Sequence, residues 1–379
     1  MASSRSTFDL AVVGAGVFGL AIAREAMRQG LSVVVLEKDK VGAGSSGGLL
    51  GALMPHMPAR WNPKKAFQFA ALSSLAAHAQ ALEEETGVST GYLRCGRILP
   101  LTTQDKLDHH LERAEEALER WHPEETGFRY HVEPSGSRTD WISAQSAPFG
   151  LVHETLAARM SPRGCLEALA RSLSLSDRGR LIEGADVTGF DEASGRILLA
   201  EGAEEIVAGR LVVATGHHAF PMIAELTGQM IGRGEKGQAL LMEGKGLEDR
   251  PAIYCDGLYV VPHGNGTVAV GSTSDRSFTD AAVDPERTRE LVERATAFCP
   301  SLAGREVVNV WAGIRPRCNR RDPLVGLLPG HKKTYAATGG FKISFGIAHL
   351  VAECLVAELT DQTPATPLPG SFRPAAHFE

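Results

Sequence analysis

Close to its start the chain runs Phe8-Asp9-Leu10-Ala11-Val12-Val13 and then Gly14-Ala15-Gly16-Val17-Phe18-Gly19, a valine-rich apolar stretch that empties into G-x-G-x-x-G. The pattern predicts a buried strand over Phe8 to Val13, a turn at the glycines, and a helix over Leu20 to Gln29 that Gly30 stops. Leu31 to Leu36 (LSVVVL) predicts a second buried strand, closing a βαβ unit with parallel strands. In that setting each glycine has a mechanical task. Gly14 permits the tight turn, Gly16 lets backbone approach a pyrophosphate, and Gly19 lets helix pack closely on strand. With Ala15, Val17 and Phe18 they present amides at the positive end of a helix, where phosphates are stabilised. Glu37, 18 residues past Gly19 and followed by Lys38, stands where an acid hydrogen-bonds ribose hydroxyls, and its charge disfavours a 2′-phosphate. These residues predict a dinucleotide without choosing between FAD and NAD.

A chain of 379 residues exceeds one small core, so one large or two interleaved domains is expected. Hydrophobic residues at 43% and charged residues at 22% describe a chain that folds throughout. The net charge of −6, with no dense Lys/Arg block, gives no electrostatic footprint for nucleic acid. Cys95, Cys165, Cys255, Cys299, Cys318 and Cys354 form no C-x-x-C pair, so neither zinc nor a disulfide framework is predicted. No Ser/His/Asp triad, metal-binding H-x-x-x-H or Walker sequence is present, and no metal is expected. Met1 to Thr7 is polar and does not describe a signal peptide, and no stretch approaches roughly 18 uninterrupted apolar residues. A cytoplasmic location without a transmembrane segment follows as the expectation.

Periodicity places further helices over Lys64 to Glu85 and Gln104 to Trp121, both expected in a second region, and over Ser161 to Leu175, with Ser161 as N-cap and Pro162 in the first turn. Strands are predicted over Leu181 to Phe190, Ile197 to Ala200, Leu211 to Ala214, Gln238 to Met242, Leu258 to Val261 and Val268 to Val270. Pro285 to Ala297 reads as a helix, Val307 to Ile314 and Thr334 to Ala337 as strands, and Phe345 to Leu359 as the closing helix.

Past Glu37 lies a second small-residue stretch, Val41-Gly42-Ala43-Gly44-Ser45-Ser46-Gly47-Gly48-Leu49-Leu50-Gly51. There the sequence resembles the D-amino-acid oxidase family of flavoproteins, in particular the glycine oxidase and sarcosine oxidase branch. The resemblance extends over nearly the whole chain. It includes Leu211 to Gly216, Tyr259 to Gly264 with Val268 to Thr273, Ala312-Gly313-Ile314-Arg315-Pro316-Arg317 with Asp322 to Gly326, and Thr338-Gly339-Gly340-Phe341-Lys342-Ile343-Ser344.

The resemblance implies an α/β protein: a Rossmann-like FAD-binding domain with a second, mixed-sheet α+β substrate domain. It assigns residues 1–75, 146–229 and 306–379 to the first and 76–145 and 230–305 to the second, with the active site where they meet. Beyond the first loop, Glu37 and Lys38, it implies FAD contacts from Gly44, Ser45, Ser46, Gly48, Leu49 and Leu50. It adds Val187, Ala214, Thr215, Gly216, Gly313, Arg315, Gly339, Gly340, Phe341, Lys342 and Ile343. Arg315 matches the arginine that grips substrate carboxylate, a role suited to a permanently charged bidentate group. Tyr259 matches a pocket-lining tyrosine, and Lys342 a lysine that helps hold the carboxylate. His56 and His263 are weaker candidates.

The implied reaction is oxidation of the C–N bond of a small amine or amino acid (glycine, sarcosine, proline or D-amino-acid type). Hydride passes to flavin N5, and water then hydrolyses the imine. The flavin supplies the chemistry and the protein mainly orientation. Oxygen or a quinone or carrier protein reoxidises the flavin, and a homo- or hetero-oligomer is possible in this family. The cysteine through which sarcosine oxidases attach flavin is not matched: Arg315 stands near that position and Cys318 three residues later, which argues against a covalent link. Arg317, Arg320 and Arg321 depart from the family pattern and would suit a dianionic or larger substrate. Alternative readings are a tRNA wobble-uridine modification oxidase of the same family, which shares Gly51-Ala52-Leu53-Met54-Pro55, a flavin-binding subunit of a hetero-oligomeric dehydrogenase, and an NAD-dependent dehydrogenase.

Overall fold

The computed structural model describes residues 5–200 and 205–378, so the outermost bounds of the expected cofactor domain, at 1 and 379, lie outside the described residues. The predicted βαβ unit is present as strand Arg5–Val13, helix Val17–Arg28 and strand Val33–Glu37. These strands lie near the middle of an eight-stranded sheet, with Leu324–Leu327, Thr334–Thr338 and Glu205–Val213 on one side and Gly179–Glu183 on the other. All neighbours run parallel except the edge strand Leu324–Leu327, and the hairpin Val187–Asp191/Arg196–Leu199 joins antiparallel to Glu205–Val213. Register is fixed by burial: Val12 lies between Val35 and Val212.

Both faces of this sheet are covered, which explains its continuous apolar strands. Leu10 and Val12 point into a core with helices Val17–Arg28, Pro63–Thr86, Pro162–Leu175 and Ser344–Leu359. Ala11 and Val13 point the other way, onto Ile197 and onto Phe220 and Ile223 of helix Ala219–Thr227. Local signals start the helices where expected. Ser161 Oγ accepts the Gly164 N–H ahead of Pro162, and Asn62 Oδ1 accepts the Lys65 N–H ahead of Pro63.

The second sheet also has eight strands, ordered Val307–Cys318, Gly232–Glu243, Thr267–Gly271, Leu258–Pro262, Ala252–Cys255, Arg97–Pro100, Leu151–Glu154 and Tyr130–Glu133. Its pairs are antiparallel apart from Ala252–Cys255 with Arg97–Pro100, so the sheet is mixed as expected. Its core carries Ile98, Trp141, Leu240, Ile253 and Val270 under helix Pro285–Phe298.

Several expectations change. Helix Pro63–Thr86 packs against Ser344–Leu359 and Pro162–Leu175, not in a second region, and the expected boundary at 75 falls inside it. Leu151–Glu154 and Val307–Cys318, expected in the cofactor half, pair into the second sheet. Periodicity reports a buried face and not which sheet buries it. The single strand expected over Leu181 to Phe190 is two, Gly179–Glu183 and Val187–Asp191, broken where Gly184 turns at φ +73°. All six cysteines are free. No helix among the described residues is long and apolar enough to cross a membrane.

Candidate active site

Two adjoining chambers lie where the sheets meet, sharing Ser45, Ser46, Gly339, Gly340 and Ser344. The outer chamber, about 750 Å³, opens over the ends of Arg5–Val13 and Val33–Glu37. Gly14 turns at φ +104°, and a Cβ there would stand 2.6 Å from the Ala214 carbonyl oxygen; one on Gly19 would lie 2.0 Å from that of Gly14. Only glycine fits either position. Gly14, Gly16, Val17 and Phe18 line the chamber, whereas Ala15 and Gly19 lie behind its surface. The Glu37 carboxylate accepts the Ala15 N–H at 2.7 Å and the Asp39 N–H at 3.0 Å, tying the loop to the second strand while still bordering the chamber. Lys38 is at the rim, paired with Asp186 at 3.0 Å, and Val187 is buried in the wall.

The second small-residue stretch folds back over the first helix. Ser46 Oγ accepts the Val17 N–H at 3.1 Å, satisfying one amide that the helix start leaves open. Gly44 and Ser45 face the outer chamber, and Ser45 continues with Gly48, Leu49 and Leu50 along the inner one. Ala214, Thr215, Gly216 and Gly313 complete the outer wall. The Gly216 carbonyl accepts from Thr338 Oγ at 2.7 Å, which joins that wall to the last parallel strand.

The inner chamber, about 440 Å³, gathers Tyr259, Arg315, Phe341, Lys342 and Ile343. Arg315 rises from strand Val307–Cys318. Its Nη1 donates to Ser272 Oγ at 2.9 Å and its Nη2 to the carbonyls of Lys236 and Thr273, while Nε is buried without a partner. Its guanidinium lies 5.3 Å from the centre of the Phe341 ring. The Lys342 ammonium is 5.7 Å from the same ring and 5.9 Å from that of Tyr259. Burial first, and Arg315 beside it second, lower the Lys342 pKa to about 8. Tyr259 packs 4.6 Å from the Tyr254 ring, and burial raises its phenol to about 12.

His56 lines the chamber but is bound to Gln68, and burial lowers it to about 4. His263 is buried with Nε2 unpartnered and borders neither chamber. Arg317 is committed to the buried carboxylate of Glu235, so the expectation that it faces a ligand as a spare cation changes. Arg321 lines the inner chamber, exposed, at φ +68°. Cys318 is buried with Sγ against Gly339, its thiol pushed up to about 12 by burial.

Sequence reasoning missed Trp311, Tyr254, Ser272 and Gln68, all on the inner wall. The Trp311 ring lies beside Gly48, 3.2 Å from where a Cβ would be. Its position two residues before Gly313 was the available signal, Ser272 stands within the quoted stretch Val268 to Thr273, and Tyr254 and Gln68 are brought in by sheet pairing and helix packing alone.

This geometry, a glycine-rich βαβ cradle opening onto a chamber walled by a second, mixed sheet, defines a two-domain dinucleotide-dependent oxidoreductase. The profile of the FAD dependent oxidoreductase (DAO) family matches residues 9–354, and the chain belongs to that family; its cofactor is FAD. The glycine oxidase of Geobacillus kaustophilus (strain HTA426) is 26% identical over 382 residues, covering 94% of this chain and 93% of that one. The solved structure of glycine oxidase from Geobacillus kaustophilus superposes with a TM-score of 0.86 at 23% identity, over 97% of this chain and 98% of that one. That of iminodiacetate oxidase from Chelativorans sp. BNC1 gives 0.85 at 18% identity, over 96% and 98%.

Proposed function

We propose that the protein oxidises the C–N bond of a small amine or amino acid, with FAD lying along both chambers. The observation that carries this reading is the inner chamber itself. Arg315 and Lys342 converge beside an aromatic floor, and no Asp or Glu is among the described residues that line it. The family relatives named above, with glycine oxidase among them, support it.

The residues fit the cofactor. A Cβ on Gly44 would meet no protein atom within 4 Å, so backbone there borders open space of the kind a diphosphate needs. Residues from Gly14 to Phe18, with Glu37, are assigned to the nucleotide half, and Gly48 to Leu50 with Gly339 to Ile343 to the ring. Segments 1–75, 146–229 and 306–379 remain the proposed cofactor domain, corrected as above for the strands that pair in the second sheet.

Bound FAD supplies a two-electron acceptor. Arg315 anchors the substrate carboxylate through its charge and the Nη1 hydrogen that Ser272 leaves free, and Tyr259, held protonated by burial, donates a hydrogen bond to it. With His56 neutral and bound to Gln68, and no acid on the wall, the chamber works by orientation and by excluding water rather than by acid–base catalysis. Substrate therefore reacts as the neutral amine, and the imine is hydrolysed by water.

The test is anaerobic mixing of the yellow holoprotein with glycine, sarcosine, proline and D-amino acids. Bleaching of the visible flavin bands by at least one is expected. If none bleaches it and a partner protein copurifies, the reading as an enzyme on small amines fails in favour of a flavin-binding subunit. Reoxidation by oxygen or by a quinone then assigns the acceptor.

A further inference from the structure

Five cations line the inner chamber: Arg315, Lys342, Arg97, Lys64 and Arg321. Two are neutralised from behind the wall. Arg97 is paired at 2.9 Å with Glu154, whose other oxygen takes the N–H groups of Leu156 and Ala157, and Lys64 is paired with Asp322. The other three form no ion pair with a carboxylate among the described residues. Arg315 is held by a hydroxyl and two carbonyls, which position the guanidinium without offsetting its charge. Lys342 rests on ring faces. Among the described residues Arg321 has neither an ion-pair nor a side-chain hydrogen-bond partner, and its exposed backbone occupies the left-handed region next to the Asp322–Lys64 pair. A monocarboxylate satisfies the inner pair, which shares the Phe341 ring, and leaves Arg321 with nothing to hold.

We propose that the substrate is an amino acid bearing two carboxylates, one seated on Arg315 and Lys342 and the other on Arg321. This rests on the reading of the site as an amine oxidase and names its substrate class. Close approach of two like charges on the inner floor costs energy in the empty chamber, and an entering carboxylate relieves it. The outer cation is exposed, so its contribution is selectivity between ligands that already reach the inner pair.

The experiment uses the FAD-loaded protein and two matched pairs. Diglycolate and methoxyacetate, which contain no amine, differ by one carboxylate, and their binding is read by perturbation of the flavin spectrum. Diglycolate is expected to bind tighter by about tenfold or more. That advantage contracts toward unity in Arg321→Gln and persists in Arg289→Gln, on the outer helix Pro285–Phe298, with flavin content and circular dichroism checked in each. Equal affinities, or an advantage unchanged in Arg321→Gln, would overturn the proposal. In the second pair iminodiacetate is expected to bleach the flavin at lower concentration than sarcosine. Preference for sarcosine refutes the dicarboxylate and leaves amine oxidation standing. No bleaching by any amine sinks the oxidase reading, and the inhibitor pair still reports on the second carboxylate seat.

Discussion

Arg315 combines features rarely found together in a charged side chain: it is largely buried, its Nη atoms are fixed by Ser272, Lys236 and Thr273, and its Nε has no partner. Such a group is pre-organised for an anion. Arg315→Ala is expected to lower kcat/KM for a carboxylate substrate by a factor equivalent to about 2 to 4 kcal/mol, read by stopped-flow flavin reduction. Lys342 sets a pH dependence. Its pKa of about 8 means that the ligand-free lysine loses its proton as pH rises through that value, and an anion must restore it on binding. Inhibitor Kd should therefore be flat below pH 8 and rise by up to about tenfold per unit above it, and Lys342→Met should abolish the rise. Arg315, Tyr259 and Lys342 could be placed from sequence because each stands inside a contiguous motif. Tyr254 and Gln68 could not, since only strand pairing and helix packing carry them to the same wall, while Trp311 and Ser272 stand beside or inside quoted motifs that gave them no role of their own.

At the level of elements, the βαβ unit was the most legible part, because two buried strands and a glycine turn leave few alternatives. Strand Gly232–Glu243 was read only from Gln238 onward: its first half, Gly-Arg-Gly-Glu-Lys-Gly, has no strand character of its own and is extended because every residue pairs with Val307–Cys318. Gly19 offers the sharpest test of the first unit. A methyl group there would collide with the Gly14 carbonyl, so Gly19→Ala must push the helix off its strand. The expected outcome is a destabilisation of about 1 to 3 kcal/mol in urea, with FAD lost on gel filtration. Asn62→Ala, which removes the cap of Pro63–Thr86 far from the glycine loop, should cost about 1 kcal/mol and leave flavin bound.

Considered as one molecule, a chain that binds FAD only when folded should have a stability that follows occupancy. Free FAD at a hundredfold its Kd is expected to add about 2.7 kcal/mol to unfolding, and removing it to lower Tm accordingly, checked by calorimetry of apo and loaded protein. A second determinant lies away from the chambers, between the long helices. His349 donates or accepts at Ser74 Oγ across 2.9 Å, and its ring lies 4.8 Å from that of His78. Burial lowers them to about 3 and about 4. Unfolding returns both to an ordinary value near 6.5, so the unfolded chain binds the extra protons and stability falls as pH drops from about 6.5 toward those values. Urea unfolding at pH 7 and pH 5 should show a loss on the order of 1 kcal/mol per histidine per unit, reduced in His349→Phe.

Strand Val307–Cys318 belongs to the second sheet, yet Gly313 borders the outer chamber while Trp311 and Arg315 border the inner one. One rod of backbone is thus rigidly common to both compartments. Separating the two halves would therefore carry anchor and wall off together, and the arrangement is coherent only while that strand keeps its pairing with Gly232–Glu243. A break in that pairing, such as Gly237→Pro, would be expected to disturb both compartments at once, read as loss of flavin together with loss of inhibitor binding.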